Sequence, residues 1–274
     1  MKRSTLLWIV AFIITLLSAY YQRVTGPTYP IDEKVFVNGE EVKLHLERSH
    51  STNSDYIISV PVKQNNINGE VHWKRYKSND AITITKMLRN ENSLEARLPK
   101  QPPAGKIEYQ VYLYGSNTNV VSSKVPTLIR FKGDVPAWIL IPHIILIFSA
   151  MLYSTRTGLD AIFTKNIPTK LTYYTVVIVF VGGLIFGPLT QLYAFGKLWT
   201  GFPFGYDLTD NKTAIAFAGW LIALLAVLMK KRERLFIIFA AILMFIVFLI
   251  PHSMFGSELD YTKTDTVKTQ NLNP

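Results

Sequence analysis

Residues 171–195 read LTYYTVVIVFVGGLIFGPLTQLYAF, and this stretch decides the fold class because it contains no Asp, Glu, Lys or Arg. A helix that crosses a bilayer needs about 20 predominantly apolar residues. A helix in the core of a soluble protein rarely runs this far without a charge. The stretch therefore predicts a membrane-spanning helix, with close packing at Gly183 and Gly187 and a kink at Pro188.

Four further stretches have the same apolar character. The other predicted spans are Leu6–Tyr21, Pro136–Tyr153, Thr213–Met229 and Leu235–Pro251. The first of them has only 16 residues, and Lys2 and Arg3 before it are also how a secretory signal begins. The possible cleavage site, Leu17-Ser18-Ala19, is a poor match to the small-residue pattern. We therefore expect residues 1–26 to form an uncleaved signal anchor.

The composition excludes several classes of protein and of site. Hydrophobic residues make up 49% of the 274 residues and charged residues 18%, which excludes a disordered chain, a collagen and a coiled coil. The chain has no cysteine, which excludes disulfides, thiolate catalysis and cysteine-ligated zinc or iron–sulfur sites. The net charge is +10, but residues 31–134 carry 15 basic and 12 acidic residues, a net of +3. The excess therefore flanks the spans, and nucleic acid is not a predicted partner.

Basic residues in the short connections between spans set the orientation. Residues 2–3, 154–170 and 230–234 carry nine Lys and Arg residues, against four in the connections on the opposite side. We therefore predict a protein of the bacterial inner membrane whose N-terminus is cytoplasmic. Residues 22–135 and the C-terminus are then periplasmic or extracellular.

The exported segment, residues 27–134, carries strand signals at short spacing. Its predicted strands are Val42–Leu46, Tyr56–Val62, Glu70–Tyr76, Ile82–Thr85, Leu94–Leu98, Ile107–Tyr114 and Thr127–Phe131. The dipeptides Asn38-Gly39 and Asn68-Gly69 predict turns. Seven short strands in this length predict an antiparallel β-sandwich.

Residues 98–111, LPKQPPAGKIEYQV, resemble the E–F corner of fibronectin type III and related immunoglobulin-like domains. In those domains a strand ends in a proline-containing loop, a glycine turns the chain and a tyrosine opens the next strand. The resemblance implies the fold and makes Tyr109 the corner tyrosine, with its hydroxyl bonded to nearby backbone. It implies no activity.

Two passages of the membrane part carry a second resemblance. Residues 199–213 read WTGFPFGYDLTDNKT, and residues 250–261 follow the pattern I-P-H-S-x-x-G-S-E-x-D-Y. With the signal anchor, the exported domain and four further spans over residues 135–260, the chain resembles a family of uncharacterised bacterial envelope membrane proteins. This resemblance also implies no activity. Residues 261–274 are predicted to form a polar, flexible tail.

Two histidines lie in or beside predicted spans, each after a proline. His143 lies inside the second span and His252 ends the fifth, so the predicted topology puts both in the outer half of the membrane. An ionisable residue within a span suggests a functional site by default. The two rings can hold a haem, or a divalent metal together with Asp207, or they can be neutral groups hydrogen-bonded to neighbouring helices. Gln191 is predicted to face the bundle and to form a hydrogen bond there.

The loop between the third and fourth spans alternates aromatic residues with glycine and proline. Trp199, Phe202 and Phe204 are predicted to dip into the membrane interface. Asp207 and Asp210 are predicted to face water or a cation, although Asp210 can instead cap the following helix. The complete prediction is a cation, proton or polar-ligand site at the outer face, lined by His143, Asp207, Asp210, His252 and Glu258.

Four classes of function fit this sequence. We expect a non-enzymatic envelope protein in contact with membrane lipid, whose β-sandwich binds another envelope protein and whose bundle binds a ligand at its outer face. The alternative is a membrane redox protein that holds haem or metal through His143 and His252. A small transporter has less support because the spans have few polar interior residues. A membrane hydrolase or transferase lacks a recognisable nucleophile or phosphate-binding loop.

Overall fold

The computed structural model describes residues 3–115, 120–252, 254, 256 and 258–262. The chain divides into two compact units. Met1–Pro27 and Val135–Ser257 form one, here called the helical unit, and Thr28–Asp134 and Glu258–Pro274 form the other, the β-sheet unit. The first two boundaries lie within one residue of the predicted ones. Residues 258–260, predicted to belong with the spans, group with the β-sheet unit.

The helical unit is built from the apolar stretches of the sequence. Its elements are α1 (Arg3–Val24), α2 (Ala137–Phe163), α3 (Thr169–Val179), a π-helical segment (Phe180–Phe186), α4 (Gly187–Phe195), α5 (Leu208–Leu228) and α6 (Glu233–Leu249). Among the described residues, four helices are long and apolar enough to cross a membrane: α1, α2, the continuous helix Thr169–Phe195 and α5. These helices indicate an integral membrane protein.

The fifth predicted span forms α6, which has 17 residues. This length stands at the lower limit for a bilayer crossing, about 17 residues. Its sequence from Leu235 to Leu249 contains no charged residue. A crossing by α6 therefore stays a prediction.

Helix α2 continues well beyond Tyr153, the predicted end of the second span. Arg156, predicted to lie in a cytoplasmic connection, is instead a buried residue of this helix. It forms an ion pair with Asp160 one turn later, donates to the Ser4 hydroxyl and lies over the Trp8 ring. A buried charge is tolerated when it is paired and hydrogen-bonded. The helix therefore extends past the point where hydropathy ends the span.

Side chains connect the ends of neighbouring helices at both ends of the helical unit. Arg234 of α6 donates to the carbonyl of Thr164, just after α2, and Lys212 of α5 donates to the carbonyl of Ile250, just after α6. We call the end where Val24, Ala137, Phe195, Leu208 and Leu249 lie the loop end, and the opposite end the turn end. Those of the basic residues used to predict orientation that the structure describes lie at the turn end.

Helix α3 passes into α4 through the π-helical segment Phe180–Phe186. A Cβ at Gly183 would lie 2.7 Å from Cγ2 of Thr213 on α5, so the predicted close packing is confirmed there. At Gly187 a Cβ would have only ordinary contacts, from 3.7 Å. Pro188 stands in the first turn of α4, where its missing N–H matters least, and the hydrogen-bonding pattern changes just before it.

The β-sheet unit contains eleven strands among its described residues. They are β1 (Ile31–Val37), β2 (Glu40–Leu46), β3 (Ser49–Ser51), β4 (Tyr56–Pro61), β5 (Asn68–Arg75), β6 (Thr83–Lys86), β7 (Leu88–Asn90), β8 (Ser93–Leu98), β9 (Lys106–Tyr114), β10 (Val120–Ser122) and β11 (Thr127–Lys132). The seven predicted strands all form, as β2, β4, β5, β6, β8, β9 and β11. The other four strands are additional.

One of the two predicted turns is confirmed. Asn38 and Gly39 connect β1 and β2 with left-handed φ values of 49° and 80°, as a two-residue hairpin with a type I′ turn requires. The other prediction is wrong, because Asn68 and Gly69 begin β5 and pair with β9.

The strands form three hydrogen-bonded sheets. One has the order β3-β11-β9-β5-β6, with β10 also beside β9; the others are β4-β8-β7 and β1-β2. The described pairs are antiparallel except β3 with β11. Alternate residues of β9 are buried, from Ile107 to Leu113, and the buried residues of the strands form one hydrophobic core.

Tyr109 is buried in this core, and its hydroxyl donates to the backbone carbonyl of Glu47 at 2.9 Å. The prediction of a bond to backbone is correct, but the acceptor lies 62 residues earlier in the chain. A tyrosine corner instead bonds to backbone a few residues upstream. The side chain therefore ties β9 to the segment after β2.

Candidate functional site

The loop between α4 and α5 is held from behind by carboxylates of α5 and its cap. Asp210 is buried, and its Oδ2 accepts hydrogen bonds from the backbone N–H groups of Thr200, at 2.6 Å, and Gly201, at 3.0 Å. A Cβ at Gly201 would lie 2.7 Å from Cβ of Asp210, so the loop approaches the helix as closely as a glycine allows. Asp210 is thus a structural anchor of the loop.

Asp207 is the N-cap of α5. Its Oδ1 accepts a hydrogen bond from the Thr209 N–H at 2.8 Å, and its Oδ2 accepts one from the Thr200 hydroxyl at 3.2 Å. From the sequence, Asp210 is the predicted capping residue and Asp207 is predicted to face water or a cation. The structure corrects this, because α5 begins five residues before the predicted span and both carboxylates are buried.

Two amide side chains complete the support of the loop. Asn211 Oδ1 accepts a hydrogen bond from the Phe202 N–H at 2.7 Å. Gln191, on α4, donates to the Thr200 hydroxyl, so its hydrogen bond goes to the loop. The Thr200 hydroxyl thereby links α4 to the two carboxylates.

The aromatic residues of the loop differ in their orientation. Phe202 and Phe204 are exposed, whereas Trp199 is half-buried and its indole N–H donates to the Phe202 carbonyl at 3.1 Å. Trp199 therefore stabilises the turn, and the phenyl rings are the ones presented outward. Tyr206, which the sequence analysis does not single out, is also exposed.

Next to the loop, a buried lysine closes the end of α6. Lys212 is 4% exposed and its Nζ donates to the Ile250 carbonyl at 2.7 Å. Gln22 of α1 donates from Nε2 to the Phe248 carbonyl at 2.8 Å and to that of Ile250 at 3.2 Å. The carbonyls at the end of a helix lack intrahelical donors, and a cation there is favourable.

Lys212 and Gln22 also line a cavity, together with Thr213, His252 and apolar side chains. Its volume is about 30 Å³. A cavity of 10–15 Å³ already holds one water molecule, so this one accommodates about one or two. The cavity is therefore matched to a water-sized species.

His143 has a defined hydrogen-bonding state. Its Nδ1 lies 3.0 Å from the Gly182 carbonyl in the π-helical segment. Because a carbonyl only accepts, Nδ1 carries the hydrogen, and in a neutral ring Nε2 then has the lone pair. The π-helical segment presents this carbonyl to α2, as such segments often do at functional positions.

His252 stands beside these groups after the end of α6. It keeps an exposed surface, but desolvation by the surrounding protein lowers the pKa of its ring. The positive charges of Lys212 and His143 lower that pKa further, and the negative charge of Asp207 opposes them. Four of the five residues of the predicted site therefore belong to the helical unit, and His252 is electrostatically coupled to two of them.

Glu258, the fifth predicted residue, belongs to the β-sheet unit and has partners there. Its carboxylate accepts hydrogen bonds from Lys77 at 2.7 Å and from Lys106 at 2.5 Å. Burial raises the pKa of the Glu258 carboxyl, but the hydrogen bonds and charges of Lys106 and Lys77 outweigh burial and lower it overall. Glu258 is thus an ion-pairing residue of the β-sheet unit.

This pairing makes the stability of the β-sheet unit depend on pH. A carboxyl whose folded-state pKa is lowered contributes stability that is fully present above the unfolded pKa and is lost as pH falls through the folded one. We expect Glu258→Gln to lower the thermal unfolding midpoint of this unit at pH 7, and the difference from the wild type to shrink below the ordinary pKa of 4.5. The control, Glu91→Gln in an exposed turn, should show no such dependence. A constant difference at every pH would contradict the assignment.

Among the described residues, no group of three or more His, Cys, Asp or Glu side chains is arranged to hold a metal ion. A haem requires a pocket of several hundred Å³, as cofactor sites generally have, against about 30 Å³ beside His252. The arrangement of these residues therefore gives no support to the metal or haem interpretation of His143, His252 and Asp207.

Three polar residues at the loop end of the helical unit are not among the residues predicted for the site. Lys212, Gln22 and Thr200 each connect two elements of the helical unit. A signal for Lys212 exists, since a lysine directly before an apolar run lies at the edge of the membrane. The roles of Gln22 and Thr200 depend on contacts with distant segments and have no local pattern.

No family model matches this chain, and no curated protein matches it either.

Proposed function

We propose that this protein is a non-enzymatic, polytopic membrane protein of the bacterial envelope that binds a proton or a water-sized polar ligand at the loop end of its helical unit. The observation that carries the proposal is Lys212, a buried cation that shares a small cavity with Gln22 and His252. Ionisable residues inside membrane proteins are costly and commonly mark ion or proton sites.

The chemistry of the cavity favours a proton or a neutral polar ligand over a divalent cation. Lys212 brings a positive charge to the edge of the cavity, and a second cation beside it would be repelled. Asp207 and Asp210, predicted as cation ligands, instead accept hydrogen bonds from the loop. The surroundings of His252 lower the pKa of its ring, so the ring is neutral near pH 7 and serves there as a hydrogen-bonding group.

The same proposal includes the remaining predictions about the architecture. The turn end faces the cytoplasm, in keeping with its basic residues, and the loop end faces outward. The β-sheet unit is an exported immunoglobulin-like β-sandwich, supported by its single core and its mostly antiparallel strands. We propose that this unit binds another envelope protein.

Removing the charge of Lys212 tests the proposed site. We expect Lys212→Met to move the titration midpoint of His252 to higher pH, because a nearby positive charge that disfavours protonation is lost. The midpoint is measured by NMR of labelled histidine in the full chain, reconstituted in lipid nanodiscs. Asp207→Asn should move it in the opposite direction.

Two variants serve as controls. Lys231→Met removes the same charge at the turn end and should leave the His252 midpoint unchanged. Lys212→Arg keeps the charge and should largely preserve the midpoint. If Lys212→Met folds and the His252 midpoint does not move, the lysine and histidine do not share a site, and Lys212 only caps α6.

A further inference from the structure

The most exposed part of the loop is aromatic. The side chains of Phe202, Phe204 and Tyr206 are 77%, 82% and 93% exposed. Aromatic side chains of this size gain most from burial, and soluble surfaces rarely leave three of them open so close together. These three residues, here called the aromatic tip, therefore need a partner.

The position of the loop identifies that partner. The loop connects two helices that are each long and apolar enough to cross a membrane, Thr169–Phe195 and Leu208–Leu228. The second has 21 residues and is about 32 Å long at 1.5 Å per residue. This length matches a hydrocarbon core about 30 Å thick, so Asp207 and the adjoining loop stand at the level of the lipid headgroups.

The loop has its shape before it meets any partner. Gly201 and Phe202 are held through their backbone N–H groups by Asp210 and Asn211, as described above. Within the turn, the Phe204 N–H donates to the Gly201 carbonyl at 2.9 Å. A preformed surface loses little conformational entropy on binding. The aromatic tip therefore has the properties of a fixed wedge.

Other exposed aromatic residues lie at the same end of the helical unit. Tyr20 and Tyr21 are near the end of α1, Trp138 is at the start of α2 and Tyr193 is near the end of α4, all exposed. Trp and Tyr are enriched at membrane–water interfaces, where the ring is in the apolar layer and the polar group in the wet one. The aromatic tip lies at the same end of the helical unit as these four aromatic residues.

From this placement we propose that the aromatic tip is inserted into the interfacial layer of the lipid bilayer and fixes the depth of the loop end. Phe202 and Phe204 contact the acyl boundary, and Tyr206 keeps its hydroxyl among the headgroups. The lipid is the outer leaflet that surrounds the protein, so no protein partner is required. The adjoining proton or polar-ligand site is then held at a constant depth beneath the surface.

The absence of cysteine allows a direct test by site-directed spin labelling of the full chain. Phe202→Cys, Phe204→Cys and Tyr206→Cys are labelled one at a time in lipid nanodiscs. Collision rates with oxygen, which concentrates in lipid, and with a water-soluble nickel chelate are measured. Ile222→Cys, exposed in the middle of α5, gives the lipid reference, and Lys231→Cys, in the turn between α5 and α6, gives the aqueous reference.

We expect the ratio of oxygen to nickel collisions at positions 202 and 204 to exceed that at 231 clearly and to lie below that at 222. Position 206 should fall nearer the aqueous reference. Three independent label sites protect the test from a single variant that fails to fold. If all three sites have the aqueous ratio in nanodiscs, the tip is not in lipid, and the proposal is overturned in favour of a protein-binding loop.

Discussion

Replacing Asp210 with alanine should release the loop between α4 and α5. The change removes the acceptor of two backbone N–H groups, those of Thr200 and Gly201. Hydrogen bonds to a charged group contribute about 1.5–3 kcal/mol each, and donors left buried without an acceptor add to the loss. We therefore expect the free energy of local opening at Gly201 to fall by about 3 kcal/mol.

Native-state hydrogen exchange measures this effect at the two amides themselves. A loss of about 3 kcal/mol corresponds to exchange roughly a hundred times faster, since each 1.4 kcal/mol is tenfold. Amides in the middle of α6 should keep the wild-type rate, because that helix is not held by the loop. Local effects of this kind are expected where one side chain satisfies several backbone donors.

Asp210→Asn separates hydrogen bonding from charge. Asparagine keeps an acceptor oxygen at nearly the same position, so its loss should be smaller, about 1 kcal/mol, as for an ordinary neutral hydrogen bond. Equal exchange rates in Asp210→Ala and the wild type would show that the loop does not depend on this carboxylate. In that case Asp210 would again be a candidate for cation binding.

Among the described residues after α6, Tyr261 should be the one on which the β-sheet unit depends most. Its side chain is buried. Its hydroxyl donates a hydrogen bond to Gln101 Oε1 at 2.9 Å and accepts one from the Lys106 N–H at 3.1 Å. The guanidinium carbon of Arg75 lies 4.8 Å from its ring centroid, which adds a cation–π contact. Removing a buried aromatic side chain costs about 3–5 kcal/mol, and we expect Tyr261→Ala to destabilise the unit by about 3 kcal/mol.

The measurement is hydrogen exchange along β9, whose first residue binds the tyrosine hydroxyl. Tyr261→Phe keeps the ring and should cost about 1 kcal/mol, the contribution of the hydroxyl bonds. Thr262→Ala, at the exposed neighbouring position, should have no effect on β9. If Tyr261→Ala leaves exchange in β9 unchanged, the segment after α6 does not stabilise this unit in solution.

The contacts of Tyr261 correct the predicted tail. The sequence from residue 261 onward is polar, which predicts a flexible segment, but Tyr261 is buried and Leu259 donates from its N–H to the Ala104 carbonyl at 3.1 Å. A single aromatic residue can anchor a polar segment when a distant pocket accepts it. Residues 263–274 of the predicted tail lie outside the described residues.

The sequence predicts where the apolar helices lie much better than where they begin and end. Hydropathy stops α2 at Tyr153 and starts α5 at Thr213, because charged residues follow or precede those points. In the structure Arg156 pairs with Asp160, and Lys212 binds a carbonyl of α6, so both helices continue through their charges. A hydropathy pattern records the residue type, whereas helix continuation depends on partners elsewhere in the fold.

The dependence on distant partners also explains why the roles of the site residues differ from the predicted ones. Asp207 is recognisable as an N-cap only once the start of α5 is known, and a start at Thr213 hides it. A histidine within a predicted span is recognisable from the sequence, but the partner of His143, the Gly182 carbonyl, has no side chain to indicate it. The sequence does not predict strand β1, because its first residues, Ile31-Asp32-Glu33-Lys34, interrupt the alternation of apolar and polar residues.

The π-helical segment Phe180–Phe186 sets the rotational phase of α4 relative to α3. Each residue of an α-helix advances the side chains by about 100°, so a segment with an extra residue per turn turns everything after it to a new azimuth. Deleting one residue there would restore a regular helix, yet it would rotate Gln191 away from Thr200 and return the Gly182 carbonyl to the ordinary ladder, away from His143. The number of residues in this segment therefore sets the rotation of α4, and with it whether Gln191 reaches the loop while the Gly182 carbonyl reaches His143.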